Sequence, residues 1–232
     1  PICINVSLAL KELGNDTLAL GFTAGFTGKA IREKVDLLGL DYDFIEVGGQ
    51  SRINVKIKSN NETDINGTGA EVCENDVNKL VRKLKGLLKE GDWLIVSGSV
   101  PSSLGENTYA NLFKRLKNIK GVNLVVDACG KLLTETLKYN PFLIKPNIYE
   151  MCEIFGLNAI PDIEGIYACA RKLQEWGARN VIVSMGSAGA AMVTESRQAI
   201  YVRAARGQLV NSVGAGDSMI AGFIHEYLKS GN

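Results

Sequence analysis

Two kinds of hydrophobic pattern succeed one another along this chain, and their order constrains its fold more than any other feature. From residue 77 onward, stretches with a helical repeat alternate with short apolar runs. Val77, Leu80, Val81, Leu84, Leu87 and Leu88 fall on one helical face, and WLIVS comes next at 93–97. A helix expected at 106–117 leads to LVVDA at 124–128. A further helix leads to FLI at 142–144, and a helix pair over 148–176 leads to NVIVS at 180–184. Residues 189–193 and 198–203 read as a late hairpin. The last helix, at 215–229, carries Met219, Ile220, Phe223, Ile224, Tyr227 and Leu228 on one face. Strands alternating with helices specify βαβ units and a parallel sheet. The runs are apolar throughout, as strands are when helices cover both faces of their sheet.

Upstream, the pattern is looser. Residues 5–13 read as a helix ended by Gly14, 17–22 as a strand, and 28–38 as a helix stopped near Gly39. Residues 52–58 (RINVKIK) alternate strictly, and Asn60-Asn61 then turn the chain into 62–66, a hairpin with one wet face. The fold expected is a three-layer α/β domain spanning 1–232, with a mostly parallel sheet and a small β lid formed mainly by 43–67. Of the 232 residues 46% are hydrophobic and 22% charged, enough for a sizeable core. The formal net charge of +1 gives no footprint for nucleic acid and no polybasic membrane patch. No apolar run approaches the roughly 20 residues of a membrane span. The cysteines, Cys3, Cys73, Cys129, Cys152 and Cys169, are odd in number and form no C-x-x-C pair, which points to reduced thiols in a cytoplasmic protein. No signal peptide is visible, and because the chain opens at Pro1 without Met, directly in a helical pattern, upstream residues are expected to be missing from it. His225 is expected on the surface, and Trp93 and Trp176 in the core.

The functional clue lies at the carboxyl end of each strand. The runs end in Ser97-Gly98-Ser99, Asp127, Lys145-Pro146-Asn147 and Met185-Gly186-Ser187. Open α/β sheets bind ligands outside the carboxyl ends of their strands, and polar and glycine residues suit such a cleft. Each cluster alone fits an ordinary turn; together they describe a site.

The sharpest motif is Val210-Asn211-Ser212-Val213-Gly214-Ala215-Gly216-Asp217-Ser218, a glycine-rich turn running straight into a helix. Glycines let backbone N–H groups approach a ligand closely, and the helix start adds unsatisfied donors and partial positive charge. Asp217, in the first turn, is placed to accept a hydroxyl proton. It equally fits a plain helix cap. Gly28-Lys29 lacks the rest of a P-loop, and no G-x-G-x-x-G occurs. Asn147 and Glu150 sit three apart at a helix start and share a face. A capping box and a metal-organising pair are both compatible with that spacing.

Gly214-Ala215-Gly216-Asp217 resembles the G-A-G-D signature of the PfkB sugar kinase family. The resemblance implies a ribokinase-like fold, with Asp217 as catalytic base and Gly214, Ala215 and Gly216 as an anion hole. Lys145-Pro146-Asn147-Ile148-Tyr149-Glu150 resembles the family's N-x-x-E segment, implying that Asn147 and Glu150 help place Mg²⁺ through water and that Lys145 lies near the nucleotide. Ser184-Met185-Gly186-Ser187-Ala188-Gly189 resembles the ATP segment, implying roles for Ser184, Gly186 and Gly189 that a hairpin turn would also explain. Gly98-Ser99-Val100-Pro101 resembles the family's G-S-[LV]-P turn and reads as structural.

Arg52-Ile53-Asn54-Val55-Lys56-Ile57, with Glu62-Thr63-Asp64-Ile65-Asn66-Gly67, resembles the 1-phosphofructokinase branch of the family. Alternation on a strand would put Arg52, Asn54 and Lys56 on one face, where Arg52 and Lys56 fit a phosphate grip and a solvated edge about equally. Asn5-Val6-Ser7 resembles the end of G-G-K-G-I-N-V-S, implying that Asn5 contacts sugar hydroxyls, but Pro1-Ile2-Cys3 departs from that segment. The expected reaction is ATP-dependent phosphorylation of fructose 1-phosphate. The alternatives are a tagatose-6-phosphate kinase or a catalytically weakened sugar-phosphate binding protein. A homodimer through the lid is the expected assembly.

Overall fold

The computed structural model describes residues 2–58, 62–205, 207 and 214–231, and the side chains of these apart from residues 2, 3, 56–58, 62–64 and 66. The chain begins with α1 (Ile2–Glu12), β1 (Ala19–Ala24), α2 (Gly25–Leu37) and β2 (Tyr42–Val47). A hairpin of β3 (Asn54–Lys58) and β4 (Glu62–Asn66) comes next. Then come α3 (Glu74–Leu87), β5 (Trp93–Ser97), α4 (Thr108–Leu116), β6 (Asn123–Asp127), α5 (Gly130–Thr134) and β7 (Leu143–Ile144). The chain closes with α6 (Ile148–Phe155), α7 (Ile163–Glu175), β8 (Asn180–Ser184), β9 (Ala190–Val193), β10 (Ala199–Val202) and α8 (Ala215–Ser230).

The main sheet has the order β10-β9-β8-β7-β6-β5. Strands β5 to β8 run parallel, and β9 and β10 turn back antiparallel. Successive residues of a strand point to opposite faces. On β6, Val125 joins α1 and α8 while Val126 joins the helices of the other layer; Leu143 and Ile144, and Ile182 and Val181, divide in the same way. One helical layer supplies Val6, Leu10, Ile220 and Ile224. The other supplies Leu84, Phe113, Leu133, Met151 and Leu173, from α3 to α7. This three-layer arrangement is the one the unbroken apolar runs require.

Two features depart from the sequence expectation. The first is β2, whose half-polar YDFIEV carries no clean period. It is held instead by parallel pairing with β1, from Ala19 opposite Tyr42 to Ala24 opposite Val47, and by α2 packing over the pair. Residues 43–67 therefore contain both this strand and the separate β3–β4 hairpin. The second is that the sheet lies in two pieces. The edges of β1 and β5 both line one cavity of about 1400 Å³, walled by Leu10 and Ile224 on one side and Leu80 and Leu84 on the other. Among the described residues no strand pairs with both edges. A smaller correction concerns Trp176, which caps the end of α7 and is exposed, its ring stacked on Phe155. Trp93 does pack in the core, edge-on to Phe142.

If the central strands carry the stability, truncating one of them is costly and truncating a surface helix is not. Leu143→Ala, at a fully buried position, is expected to lower unfolding free energy by about 2–5 kcal/mol. Leu37→Ala, at a residue 82% exposed, should stay within about 0.5 kcal/mol of the parent. Urea unfolding followed by circular dichroism measures both. Equal midpoint shifts would show that the core is not organised around β7.

Candidate active site

Parallel neighbours in a sheet end at the same edge, and here that edge gathers the polar residues. Asp127 is the last residue of β6, and Lys145 comes directly after β7, its neighbour. Their side chains meet: Lys145 Nζ lies 2.9 Å from Asp127 Oδ1, and both are largely buried, at 8% and 15% side-chain exposure. Burial pushes the Asp127 carboxyl above its ordinary range; the Lys145 ammonium pulls it back down, and the nearby Asp217 charge pushes it up.

Helix α8 begins over this edge. Gly214 takes a left-handed conformation (φ +85°), which glycine adopts at little cost, and it turns the chain into the helix. A helix start leaves its first amides without partners in the helix, here those of Ala215, Gly216 and Asp217. The first bond returned is from Ser218 N to Gly214 O, at 2.8 Å. Gly216 lies against Lys145, and a Cβ added there would stand 3.1 Å from its Nζ. Residues 208–213 of the motif are outside the described residues. Asp217 is 7% exposed, and Asn5 Nδ2 donates to its Oδ2 at 2.9 Å. That bond joins helices α1 and α8 across a sequence separation of 212 residues.

At the start of α6, Asn147 Oδ1 accepts from the amides of Tyr149 and Glu150, and Glu150 Oε2 accepts from the amide of Asn147 at 2.8 Å. The capping box is therefore formed. Burial raises the Glu150 carboxyl; the Asn147 amide and Lys145 oppose that shift. Asn147 also forms a parallel bridge with Ser184 at the end of β8. Beyond Ser184 a short turn over Gly186–Ala188 leads into β9. Gly189 packs so closely on β10 that a Cβ there would be 2.0 Å from the Val202 carbonyl oxygen. Close packing thus accounts for Gly189, while Ser184 stands beside Asn147.

On the other side, Arg52 falls two residues before β3, so strand alternation does not orient it. Its Nη1 donates to Ser99 Oγ at 3.0 Å. Arg52, Ser99, Gly98 and Asn5 line the same cavity. The side chain of Lys56 lies outside the described residues. Hence Asp217, Gly216, Lys145 and Asn5 come together; Glu150 lies near enough to Lys145 and Asp127 to feel both charges, Asn147 bonds to Glu150 and bridges to Ser184, and Arg52 lines the cavity that Asn5 also lines. Ser99 and Asp127 join the site without having been marked as site residues by any motif. Asp127 is signalled in the chain only as a carboxylate at the end of an apolar strand, and Ser99 only through its strand end and the Gly98-Ser99-Val100-Pro101 turn that reads as structural. His225 lies apart and half-buried, its Nδ1 3.0 Å from Asn15 Nδ2.

Among the described residues no group of three or more His, Cys, Asp or Glu could hold a metal by itself, and no helix is long and apolar enough to cross a membrane. The pfkB family of carbohydrate kinases matches residues 3–232. The 1-phosphofructokinase of Borreliella burgdorferi is 40% identical over 225 residues, 97% of this chain and 72% of that protein. The D-tagatose-1-phosphate kinase of Bacillus licheniformis is 36% identical over 221 residues, 95% of this chain and 72% of that one. Among solved structures, the tetrameric inhibited form of phosphofructokinase-2 from Escherichia coli superposes with a TM-score of 0.86 at 25% identity, covering 97% of this chain and 74% of that one. With the G-A-G-D turn at the head of α8 and an all but end-to-end match, the chain belongs to the pfkB family of carbohydrate kinases, enzymes that carry a phosphoryl group from ATP to a sugar hydroxyl.

Proposed function

We propose that the protein phosphorylates fructose 1-phosphate on its 6-hydroxyl, giving fructose 1,6-bisphosphate. The observation that carries this reading is the Asp217 carboxylate, buried and oriented by Asn5, in the same helical turn as the first amides of α8. A base and an anion hole in one turn suit transfer to an alcohol. The acceptor hydroxyl gives its proton to Asp217 as its oxygen bonds to the γ-phosphorus. The bond from that phosphorus to the β,γ-bridging oxygen breaks, and ADP leaves with the electron pair. The amides of Ala215 and Gly216 face the charge spread over the transferring oxygens. Asn5 holds the Asp217 carboxylate and would also contact a sugar hydroxyl. The 1-phosphate falls to Arg52, with Lys56 next along the hairpin. Ser184, Gly186, Asn147 and Lys145 form the nucleotide side.

Mg²⁺ fits the donor set present. It takes few carboxylates and keeps several waters, and Glu150 offers one half-buried carboxylate within electrostatic reach of Lys145 and Asp127. Asn147 and Glu150 would hold it, through water, and when bound it would neutralise charge on the ATP phosphates. The support for fructose 1-phosphate over other phosphosugars is the 40% identical 1-phosphofructokinase. The 36% identical D-tagatose-1-phosphate kinase favours a second reading, in which the tagatose isomer is the acceptor. Turnover against fructose 1-phosphate, tagatose 1-phosphate and tagatose 6-phosphate separates them, and a lack of turnover with all three would overturn both readings.

The β3–β4 hairpin is read as a lid over the sugar. Val55 and Ile65 face each other across it and share one face, and both are exposed, as is Ile53. An exposed apolar sheet face suits pairing with a second copy. Ile65→Asp is therefore expected to shift the protein to a smaller assembly in light scattering. An unchanged mass would remove the lid from the interface.

The base and the phosphate grip are testable separately. Asp217→Asn is nearly isosteric and should lower kcat by about 10²–10⁴-fold while leaving ATP and sugar binding in place. Wild-type kcat in that variant would reduce Asp217 to a helix cap. Arg52→Ala should raise the KM for fructose 1-phosphate several-fold and leave that for ATP nearly unchanged, since loss of a charge-assisted bond costs about 1.5–3 kcal/mol when desolvated and less at this exposed position. An unaltered sugar KM would return Arg52 to the solvated edge.

A further inference from the structure

Lys145 and Asp127 form a buried ion pair whose place in the fold is unusual for a purely structural one. Taking both charges out of water costs several kcal/mol each, and their attraction repays this only in good geometry. Such pairs are weak contributors to stability, so stability alone is a poor reason for this one. The pair stands at the ends of two adjacent central strands, directly under the first turn of α8. Gly216 leaves room for the ammonium: Nζ would be 3.1 Å, and Cε 3.5 Å, from a Cβ at that position. The charges facing Asp127 are Lys145 and Asp217, and those facing Glu150 include Lys145, Asp127 and Glu153. Lys145 is thus a cation amid carboxylates that compete for it.

We propose that Asp127 is a positioning residue for phosphoryl transfer: it holds the Lys145 ammonium against Gly216, aimed at the anion-accepting start of α8 and kept off the Asp217 base. The inference rests on the reaction proposed above. An ammonium has three donors on a flexible stem. Asp127 Oδ1 engages it at 2.9 Å and fixes where the others point. The ammonium then adds a point charge beside the oxygens of the transferring group, close to the amides of Ala215 and Gly216. The proton of the acceptor hydroxyl goes to Asp217. Without Asp127 the stem is free to turn toward Asp217 or Glu150. An ammonium bonded to Asp217 would make it a weaker base, and one bonded to Glu150 would leave the anion hole. Either outcome lowers kcat and leaves the phosphate grip proposed at Arg52 intact.

The test compares Asp127→Asn, Lys145→Met and the double variant with wild type, using ATP and fructose 1-phosphate, with folding checked by circular dichroism. Asp127→Asn is expected to lower kcat at least about 10-fold, short of the roughly 10²–10³-fold lost with a whole transition-state donor, and to leave the sugar KM within about twofold. Because Asp127 acts through Lys145, the double variant should be no less active than Lys145→Met alone. Wild-type kcat in Asp127→Asn overturns the proposal. So does a double variant more than about fivefold below Lys145→Met, since Asp127 would then act on its own. If either single variant fails to fold, Asp127→Glu decides the question, since it keeps the charges paired but shifts where the ammonium is held: it too should lower kcat, and wild-type kcat in it overturns the proposal. Absence of wild-type turnover would instead unseat the reaction itself, and this inference with it, whereas normal wild-type turnover with an unaffected Asp127→Asn unseats the inference alone.

Discussion

The two-sided burial of β6, β7 and β8 is the constraint on which the rest of the structure depends. Val125 and Val126, Leu143 and Ile144, and Val181 and Ile182 each send one side chain to either helical layer. A strand so held cannot slip by one residue without exchanging its faces. In this sheet either face would accept an apolar residue, so register is fixed instead by what lies at the strand ends. There the side chains become polar and the helices must start, and the parallel direction puts all of those ends along one edge. The active-site residues are gathered because of the sheet, and not through attraction for one another.

That edge carries more negative than positive charge in the described residues around the Lys145–Asp127 pair: Asp127, Glu150 and Asp217 against Lys145. Burial raises Asp127 and Glu150, and Lys145 opposes the rise in both. Such an edge would repel a polyphosphate if the helix start did not offer its first amides and if Lys145 were not held beside them. Mg²⁺ would complete the same balance. In the proposed reaction the site is an arrangement of compensating charges, in which Lys145 and the head of α8 would face the anion and Asp217 would take the proton.

Much of this is legible in the chain. The βαβ order, the strands at 93–97, 124–128 and 180–184, the helix after Gly214 and the cap at Asn147 come from periodicity and local chemistry, and the structure has them there, the second strand one residue earlier. The spacing of Asn147 and Glu150 admits a capping box and a metal-organising pair together, and the capping geometry is present. Strand β2 is not legible, because its residues alternate poorly and its order comes from pairing with β1. Arg52 reads as part of a strand face, yet it precedes the strand and is oriented by Ser99, a contact across 47 residues.

By itself, then, the sequence determined the fold class, the family and the residue types at each strand end, because these depend on local patterns read within a dozen residues. Only the tertiary structure decided which of those residues meet. The pairing of Asp127 with Lys145, the approach of Lys145 to Gly216 and the bond from Asn5 to Asp217 join segments far apart in the chain. Each arises where packing of helices onto the sheet brings together groups whose separation along the backbone carries no information about their distance in space.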